Sequence, residues 1–365
     1  MGIRVLVISN YRDFHSTRPE ASIFLGLAKL GFEIIIMTSI EAKLVDEFKA
    51  VGIKVIDFLP EKKFNKTEIK RIREVVINER IDILHLFNSE ASVNGIIAAK
   101  GLDVKVVLYR GYAGHIHWWD PTAYFKYLNP RVDKIMCNSM GVEEVIQKQL
   151  FFDKTKTKTI NKGHDVKWYE DYKPIDIRKE LGLASDSFLL VTVGNNRKMK
   201  GIIYLIKAIN LLPKKLPIHL LLVGRDMDSN EYKQLLTKAG KSDSVHFLGF
   251  RKDVLNIVAG CDVFVLPSIY GESITKSVIE AMSLGIAPII SSISGNRELV
   301  VNEESGLVFE SKNSQELSDS ILKLYNDRNL TKRLGENARL RIAEHLNHEQ
   351  TIQKVKTLYE ELLIT

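Results

Sequence analysis

The chain alternates short β-branched apolar segments with amphipathic stretches, and this alternation constrains its fold more than any other feature. In the first half the segments typical of strands are 3–9, 33–38, 53–58, 81–86, 104–109 and 134–139. The stretches between them that carry apolar residues at helical spacing are 20–30, 67–78, 91–100 and 141–150. Continuous Val, Ile and Leu strands with helices between them indicate a parallel sheet covered on both faces. The sequence therefore predicts a doubly wound α/β domain.

The same pattern restarts after a connecting segment, KWYEDYKPIDIRKELGL, that is rich in aromatic and charged residues. The later strand-like segments are 187–194, 218–224, 244–249, 262–267, 287–292 and 306–310, and the last helical ones are 315–325, 329–345 and 348–363. A chain of 365 residues is also long for one hydrophobic core. We predict an N-terminal Rossmann-like domain at 1–168, a C-terminal one at 169–346, and a helix at 347–365 that packs on the first domain.

Composition excludes several functional classes. A hydrophobic fraction of 45% and a charged fraction of 27% are globular values, so disorder is not indicated. No apolar run reaches the roughly 18–20 residues of a membrane span, which favours a cytoplasmic protein. Neither half has G-x-G-x-x-G after its first strand, and no P-loop motif occurs, which argues against a dehydrogenase or an NTPase. Cys137 and Cys261 lie far apart in apolar segments and are predicted to be inert buried thiols.

The net charge of +7 is unevenly distributed. Basic residues are concentrated at 62–73 and at Lys154, Lys156, Lys158 and Lys162. Solvated helix faces explain most such runs, and an anionic membrane surface or ligand is the second interpretation. Nucleic acid is disfavoured because no aromatic residues alternate with the lysines in a stacking pattern.

A first candidate anion site is GNNRKMKG at 194–201. This segment has a glycine at a strand end, Arg197 and Lys200 in a short loop, and a helix that opens at Gly201. Together these elements direct two cations and free backbone N–H groups at one point. Such a point suits a phosphate, and the alternative is a solvated surface loop.

A second candidate is GESITKSVIEAM at 271–282, where a helix beginning near Ser273 would offer the backbone N–H groups of 273–275 to an anion. Glu272 stands at this helix start, where its alternative role is to complement the helix dipole. Glu280 lies among apolar residues and needs a polar partner, because an unpaired buried carboxylate costs several kcal/mol. The two glutamates are about 12 Å apart along the axis, which suits one extended ligand held at two places rather than a shared metal.

Residues 262–285 resemble the donor site of retaining glycosyltransferases of family 4, which have the two-Rossmann GT-B fold. That signature is Pro-Ser at a strand end, then Glu, seven residues, Glu-Ala-Met and a later Gly. The loop at 194–201 resembles the family's phosphate-binding loop. Further similarities, in the family's order, lie at 160–169, 220–224, 245–254 and 294–300. The match is specific in the C-terminal half and mostly at the level of fold in the N-terminal half.

The resemblance implies transfer of a sugar, with retention of configuration, from a UDP- or GDP-sugar to a glycan or lipid-linked acceptor, with no metal and no cofactor. As catalytic residues, Arg197 and Lys200 would neutralise the leaving diphosphate, and Glu272 would face the donor sugar. Glu280 would accept hydrogen bonds from the ribose, and the amides of 273–275 would hold phosphate. The donor-binding residues implied are Gly194, Asn195, Ser273, Ile274, Thr275, Glu280 and Phe250.

The sequence departs from the family pattern at three places. Asn195 stands where an arginine is usual, with Arg197 two places later. Ser273-Ile274-Thr275 replaces Gly-Phe-Gly, and Ser294-Gly295 replaces Gly-Gly. None of these changes removes a charged group that the mechanism needs.

The loop at 109–121 follows a strand of the first domain and should line the cleft. Its acceptor or cleft candidates are Arg110, Gly111, His115 and His117. The loop at 10–22 is expected to reach the cleft too. The spacing of His115, His117 and Asp120 does not fit a metal site. Asp226-Met227-Asp228 is expected to form a turn rather than to bind a metal ion. Glu298 is either a donor contact or a helix-start acid.

Two alternative functions remain open at this stage. A GT-B sugar-nucleotide epimerase or hydrolase would need acids in the cleft, and the sequence offers no clear set. A non-catalytic nucleotide-sugar-binding subunit would have no reason to keep Arg197, Lys200, Glu272 and Glu280 together. For a transferase, a lipid-linked acceptor would place the protein at the inner face of the plasma membrane, in peripheral contact with anionic lipid and not with nucleic acid.

Overall fold

A computed structural model describes residues 2–114, 116–151 and 153–364, which form two compact units. Unit 1 comprises the residues up to Gly163 together with those from Leu346 onward, and unit 2 comprises His164–His345. Each unit contains one parallel sheet. The strands are β1 Arg4–Ile8, β2 Glu33–Thr38, β3 Lys54–Asp57, β4 Ile83–Leu86, β5 Lys105–Arg110, β6 Lys134–Cys137, β7 Thr157–Thr159, β8 Phe188–Val193, β9 Ile218–Val223, β10 Val245–Gly249, β11 Val263–Leu266, β12 Ala287–Ser291 and β13 Leu307–Phe309.

Helices connect the strands of both units. They are α1 Phe14–Lys29, α2 Val45–Ala50, α3 Lys66–Asn78, α4 Ser89–Ala98, α5 Met140–Gln147, α6 Ile177–Glu180, α7 Ile202–Leu211, α8 Asn230–Ala239, α9 Val254–Ala259, α10 Lys276–Ser283, α11 Ser314–Asn326, α12 Arg328–His345 and α13 His348–Ile364. None of the helices in the described ranges combines the length and the apolar character that crossing a bilayer requires.

Both sheets confirm the predicted doubly wound architecture. The strand order is β3-β2-β1-β4-β5-β6-β7 in unit 1 and β10-β9-β8-β11-β12-β13 in unit 2. The order reverses beside β1 and beside β8, and ligands of such sheets bind at the carboxyl ends of the strands at this reversal. The continuous apolar strands are buried on both faces, as their composition predicts, with β4 and β11 buried throughout.

The sequence missed β7, and it placed the first domain boundary at residue 168. β7 alternates threonine with lysine and so lacks an apolar signal, but it pairs with β6 at the sheet edge. The first unit ends at Gly163 because the short 3-10 helix Val166–Tyr169 packs against α10 and α12 of unit 2. The last helix, α13, belongs to unit 1 and packs on α1.

Helix α1 begins earlier than predicted, so the expected loop at 10–22 is wrong beyond its first few residues. Asp13 caps the helix, accepting a hydrogen bond from the His15 amide at 3.2 Å, and the Ser16 hydroxyl donates to the other carboxylate oxygen at 2.8 Å. Pro19 lies inside the helix. This cap outweighs the proline, which sequence reasoning treats as a helix breaker.

A buried ion pair joins α1 to the segment after β7. Lys162 Nζ lies 2.6 Å from Glu20 Oε2 and 3.7 Å from the centroid of the Tyr109 ring. Burial alone would lower the pKa of Lys162, but Glu20 and Tyr109 outweigh it and hold this pKa above its usual value. The sequence analysis grouped Lys162 with the solvated basic residues. The structure instead buries its charged group in unit 1, where it is paired with Glu20.

Both cysteines are buried thiols, as predicted. Burial raises the pKa of Cys137 to about 12 and raises that of Cys261 further.

A buried histidine connects β4 to α13. His85 is fully buried, its Nδ1 lies 2.6 Å from the Tyr359 hydroxyl, and its Nε2 has no hydrogen-bond partner among the described residues. Burial, with the charge of Lys162 adding to it, lowers the pKa of His85 to about 3. The folded protein therefore holds this imidazole neutral, whereas the unfolded chain protonates it below about pH 6.5.

We expect acid to destabilise unit 1 through this histidine. Because its folded pKa is depressed, its stabilising contribution is present above about pH 6.5 and is lost as the pH falls towards 3. Between pH 7 and pH 5 the free energy of unfolding should fall by about 2 kcal/mol, and His85→Gln should remove this dependence. Urea unfolding with deuterium pulse labelling of unit 1 peptides measures it. The exposed His15 provides the control, since His15→Gln should behave as the wild type; equal acid sensitivity in His85→Gln would contradict the assignment.

Candidate active site

The loops that follow β8 and β11 are held together by their backbones. The Ile269 amide donates to the Met199 carbonyl at 2.8 Å. Gly201, which precedes α7, has a φ of 63°, and a Cβ atom at this position would lie 2.1 Å from the Pro267 carbonyl oxygen. Only glycine permits both the left-handed conformation and this close approach.

This contact brings together two of the predicted catalytic residues. Lys200 Nζ lies 2.6 Å from Glu272 Oε1, and their side chains are 18% and 12% exposed. Glu272 also accepts hydrogen bonds from the hydroxyls of Ser268, at 3.1 Å, and Thr275, at 3.3 Å. Three donors thus fix one carboxylate beside one ammonium group at the carboxyl ends of β8 and β11.

Arg197 and Asn195 occupy the same loop, and the Arg197 carbonyl accepts a hydrogen bond from the Lys200 amide at 2.8 Å. The Arg197 side chain is exposed and makes no ion pair or hydrogen bond with another side chain in the described part of the chain. Asn195 Oδ1 accepts a hydrogen bond from the Arg225 amide at 3.3 Å, and Gly194 donates to the Val223 carbonyl at 2.9 Å. Of the two predicted cations, Lys200 is held in place and Arg197 faces solvent.

Sequence reasoning missed Arg225. Its guanidinium carbon lies 5.2 Å from the centroid of the Phe250 ring, which is 61% exposed at the carboxyl end of β10. A Cβ atom on Gly224 would lie 1.7 Å from the Gly194 carbonyl oxygen, so the loops after β8 and β9 touch. The sequence signal that could have identified Arg225 is its position in the chain, because this residue closely follows a buried strand next to the predicted phosphate loop.

Helix α10 begins at Lys276, so the prediction of a helix start near Ser273 is wrong. Thr275 is the N-cap residue, with an extended backbone (φ −83°, ψ 114°), and residues 273–275 are buried. A Cβ atom on Gly295 would lie 2.0 Å from the Glu272 carbonyl oxygen. Residues 273 and 274 form a bend, and the β-branched side chain of Thr275 favours the extended conformation that this residue adopts before the helix.

Glu280 has a partner within its own helix. The Lys276 ammonium, one turn earlier, donates to Glu280 Oε1, and the two side chains are 36% and 13% exposed. Lys276 therefore supplies the polar partner that Glu280 was predicted to need. The signal was present in the sequence as a Lys and Glu spaced four residues apart, a spacing that brings side chains together on a helix.

The remaining acidic candidates lie outside the α-helices. Glu298 lies in a turn after the 3-10 helix Ser294–Asn296 rather than at the start of an α-helix. Asp226 lies in a turn with a φ of 60°, and Asp228 accepts a hydrogen bond from Lys233 at 3.0 Å. Within the residues that the structure describes, no group of three or more His, Cys, Asp or Glu side chains could hold a metal ion.

The unit 1 candidates lie at the end of β5 and in the loop that follows it. The Arg110 guanidinium donates to the carbonyls of Tyr112, at 2.7 Å, and Gly114, and it lies 4.9 Å from the centroid of the Tyr127 ring. Arg110 therefore holds its own loop in place. Gly111 is exposed, and His117 is exposed and stacked on Trp119 at 4.8 Å. His115 lies outside the described residues.

Comparison with known families identifies the chain. The model described as Glycosyltransferase Family 4 matches residues 22–168, and the one described as Glycosyl transferases group 1 matches residues 175–341. Between them they match both domains. The chain belongs to the family 4 glycosyltransferases.

A curated relative and two solved structures are similar to the chain over most of its length. The chain is 28% identical to the Escherichia coli UDP-Gal:alpha-D-GlcNAc-diphosphoundecaprenol alpha-1,3-galactosyltransferase over 78% of its own length and 77% of that protein. A glycosyltransferase structure from Rickettsia africae matches with a TM-score of 0.82 at 19% identity, covering 99% of both chains. Anabaena HepE in complex with UDP matches with a TM-score of 0.76 at 20% identity, covering 99% of this chain and 100% of that one. The fold is GT-B, as predicted, and the activity class is glycosyl transfer (EC 2.4).

We expect Gly201→Ala to disrupt the site of this glycosyltransferase. An alanine at a left-handed position costs about 1–2 kcal/mol, and the clash with the Pro267 carbonyl should add about 1–3 kcal/mol. Gly182 is a matched control, because its φ of 66° is similar but a Cβ atom there would meet nothing within 4 Å. Chemical denaturation of unit 2 measures both variants, and equal destabilisation would show that the close approach contributes nothing.

Proposed function

We propose that this family 4 enzyme transfers a sugar, with retention of configuration and without a metal ion, from a nucleotide-diphosphate sugar to a glycan or lipid-linked acceptor. The observation that carries the proposal is the contact between Lys200 and Glu272, 2.6 Å apart and largely shielded from solvent. It combines a cation suited to a diphosphate with a carboxylate suited to sugar hydroxyls.

The leaving diphosphate gains negative charge as its bond to the sugar breaks. A cation that is already in position stabilises that charge without reorganisation, and such electrostatic contributions are worth a few kcal/mol of barrier. In the free protein Glu272 balances the charge of Lys200. A bound diphosphate would become the second anion beside Lys200, while Ser268 and Thr275 keep the Glu272 carboxylate in position to face the sugar. Arg197, which has no side-chain partner in the described residues, is free to turn towards the same phosphates.

The nucleoside would lie towards the ends of β9 and β10. Phe250 offers an exposed aromatic face, and Arg225 stacks beside it. These groups suit a nucleobase, while Glu280 would accept hydrogen bonds from the ribose hydroxyls in competition with Lys276. Because the E. coli relative is named as a UDP-galactose enzyme acting on a diphosphoundecaprenol acceptor, we favour a UDP-sugar first, with a GDP-sugar as the second choice. Peripheral contact with an anionic membrane would give access to a lipid-linked acceptor.

A thermal-shift panel of UDP-, GDP-, ADP- and CDP-sugars tests the donor site. At a ligand concentration of about 100 times Kd, binding adds about 2.7 kcal/mol of stability, which raises the melting temperature of a domain of this size by about 5–10 °C. We expect one nucleotide class to give such a shift, and Lys200→Ala to abolish it. Lys198→Ala is the matched control, because Lys198 is an exposed lysine of the same loop. The donor site is refuted if no nucleotide sugar shifts the transition, or if Lys200→Ala responds as the wild type does.

The two glutamates should separate catalysis from binding. Glu272→Gln should lower kcat by about 10²–10³-fold and leave nucleotide affinity unchanged or tighter, because Lys200 loses its internal anion. Glu280→Gln should weaken nucleotide binding by roughly tenfold or more, the size of a hydrogen bond to a charged group. Glu336→Gln removes a comparable Lys and Glu contact from α12, with Lys332 Nζ 3.9 Å from Glu336 Oε1, and should change neither quantity.

Isothermal titration with the nucleoside diphosphate, steady-state kinetics, and NMR of the product anomer measure these effects. An inverted anomer, or loss of activity in the presence of EDTA, would contradict the proposed stereochemistry or metal independence. Consumption of the donor without sugar transfer would instead indicate a hydrolase or an epimerase.

A further inference from the structure

Unit 1 carries an exposed patch of aromatic side chains in the segments before α3, after β5 and after α5. Each member is at least 41% exposed, and Trp119 reaches 65%. The members, which we call the aromatic patch, are Phe64, Trp118, Trp119, Tyr124, Phe125 and Phe151. Soluble monomers rarely expose contiguous apolar surface of this kind without a binding role.

Direct contacts make the patch continuous. The rings of Phe64 and Phe125 meet edge to face at 5.1 Å, and those of Trp118 and Phe151 at 5.5 Å. The Tyr124 hydroxyl donates to the Trp118 carbonyl at 2.8 Å, and Tyr124 is the chain neighbour of Phe125, so the two pairs lie on connected segments. The patch therefore runs from the segment before α3, through the loop after β5, to the segment after α5.

The backbone beneath the patch is well anchored. The Phe64 amide donates to Asn94 Oδ1 at 2.8 Å, and the Trp118 amide donates to Gln149 Oε1 at 3.1 Å. Asp120 caps the 3-10 helix that carries Tyr124 and Phe125, accepting from the Thr122 amide at 2.8 Å. Hydrogen bonds thus hold the backbone that carries Phe64, Trp118 and the 3-10 helix.

Exposed lysines lie in the same segments of the chain as the aromatic side chains. The exposed lysines of the same segments are Lys62, Lys63, Lys66, Lys148 and Lys154. Lys126 is adjacent to Phe125, and burial lowers its pKa, with the charges of Lys63 and Arg110 lowering it further and those of Glu90 and Asp120 raising it. The nearby carboxylates of Asp120 and Asp153 each cap a short helix and accept hydrogen bonds from Thr122 and Thr155.

We propose that the aromatic patch docks unit 1 on the surface of an anionic lipid bilayer. Amphipathic aromatic rings favour the boundary between lipid headgroups and acyl chains, and lysines near an anionic leaflet add attraction to the same surface. Exposed aromatic rings that share their segments with several exposed lysines match both properties of this boundary. The surface lies on unit 1 and does not depend on the donor site of unit 2.

Vesicle binding by the full chain tests the proposal. Vesicles of phosphatidylcholine with about one third phosphatidylglycerol should sediment the protein, and vesicles of phosphatidylcholine alone should do so at least tenfold more weakly. Both Trp118→Ser/Trp119→Ser and Lys62→Glu/Lys63→Glu should weaken binding to the anionic vesicles at least tenfold. The matched control is Lys214→Glu/Lys215→Glu, an exposed lysine pair of unit 2, which should bind as the wild type does.

Fluorescence gives an independent measurement, because the chain has three tryptophans and two of them lie in the patch. In a Trp168→Phe background, anionic vesicles should shift the emission of Trp118 and Trp119 to shorter wavelength. Melting temperatures of all variants establish that they fold. The absence of binding to anionic vesicles, or patch variants that bind like the wild type, overturns the proposal. So does a fluorescence response to soluble oligosaccharide but not to vesicles, which would make the patch a glycan-stacking surface.

Discussion

Close backbone contact at the carboxyl ends of the unit 2 strands is the constraint on which the candidate site depends. Gly201 lies against the Pro267 carbonyl, Gly224 against that of Gly194, and Gly295 against that of Glu272. At each place a side chain would displace a neighbouring peptide, so glycine sets how near the loops can lie. The contact between Lys200 and Glu272, and the stack of Arg225 on Phe250, both follow from loops held this close.

The charges of this site are balanced internally before any ligand binds. Glu272 has Lys200 and two hydroxyls as partners, and Glu280 has Lys276. A largely buried carboxylate without such partners would cost several kcal/mol, so a free site must satisfy its own charges. Ligand binding at such a site is an exchange of partners, and its affinity is the difference between two sets of favourable contacts.

Unit 1 distributes its basic residues between two different roles. Lys162 lies in the interior against Glu20 and Tyr109, where it also disfavours protonation of His85. Lys62 and Lys63 remain on the surface beside Phe64. All three lysines contribute equally to the net charge, yet only the surface pair can attract an external anionic partner over a distance.

The sequence by itself determined the doubly wound architecture and the approximate position of nearly every strand, because buried parallel strands and amphipathic helices have distinct periodicities. It also determined which loops bear the charged groups of the candidate site, because their motifs are contiguous. It did not give the start of α10, the cap of α1 or the edge strand β7, where local signals are weak or compete. Only the tertiary structure decided the pairing of Lys200 with Glu272, the role of Arg225 beside Phe250 and the burial of Lys162. Each of these contacts joins residues far apart in the chain, so no periodicity or spacing within one segment encodes it.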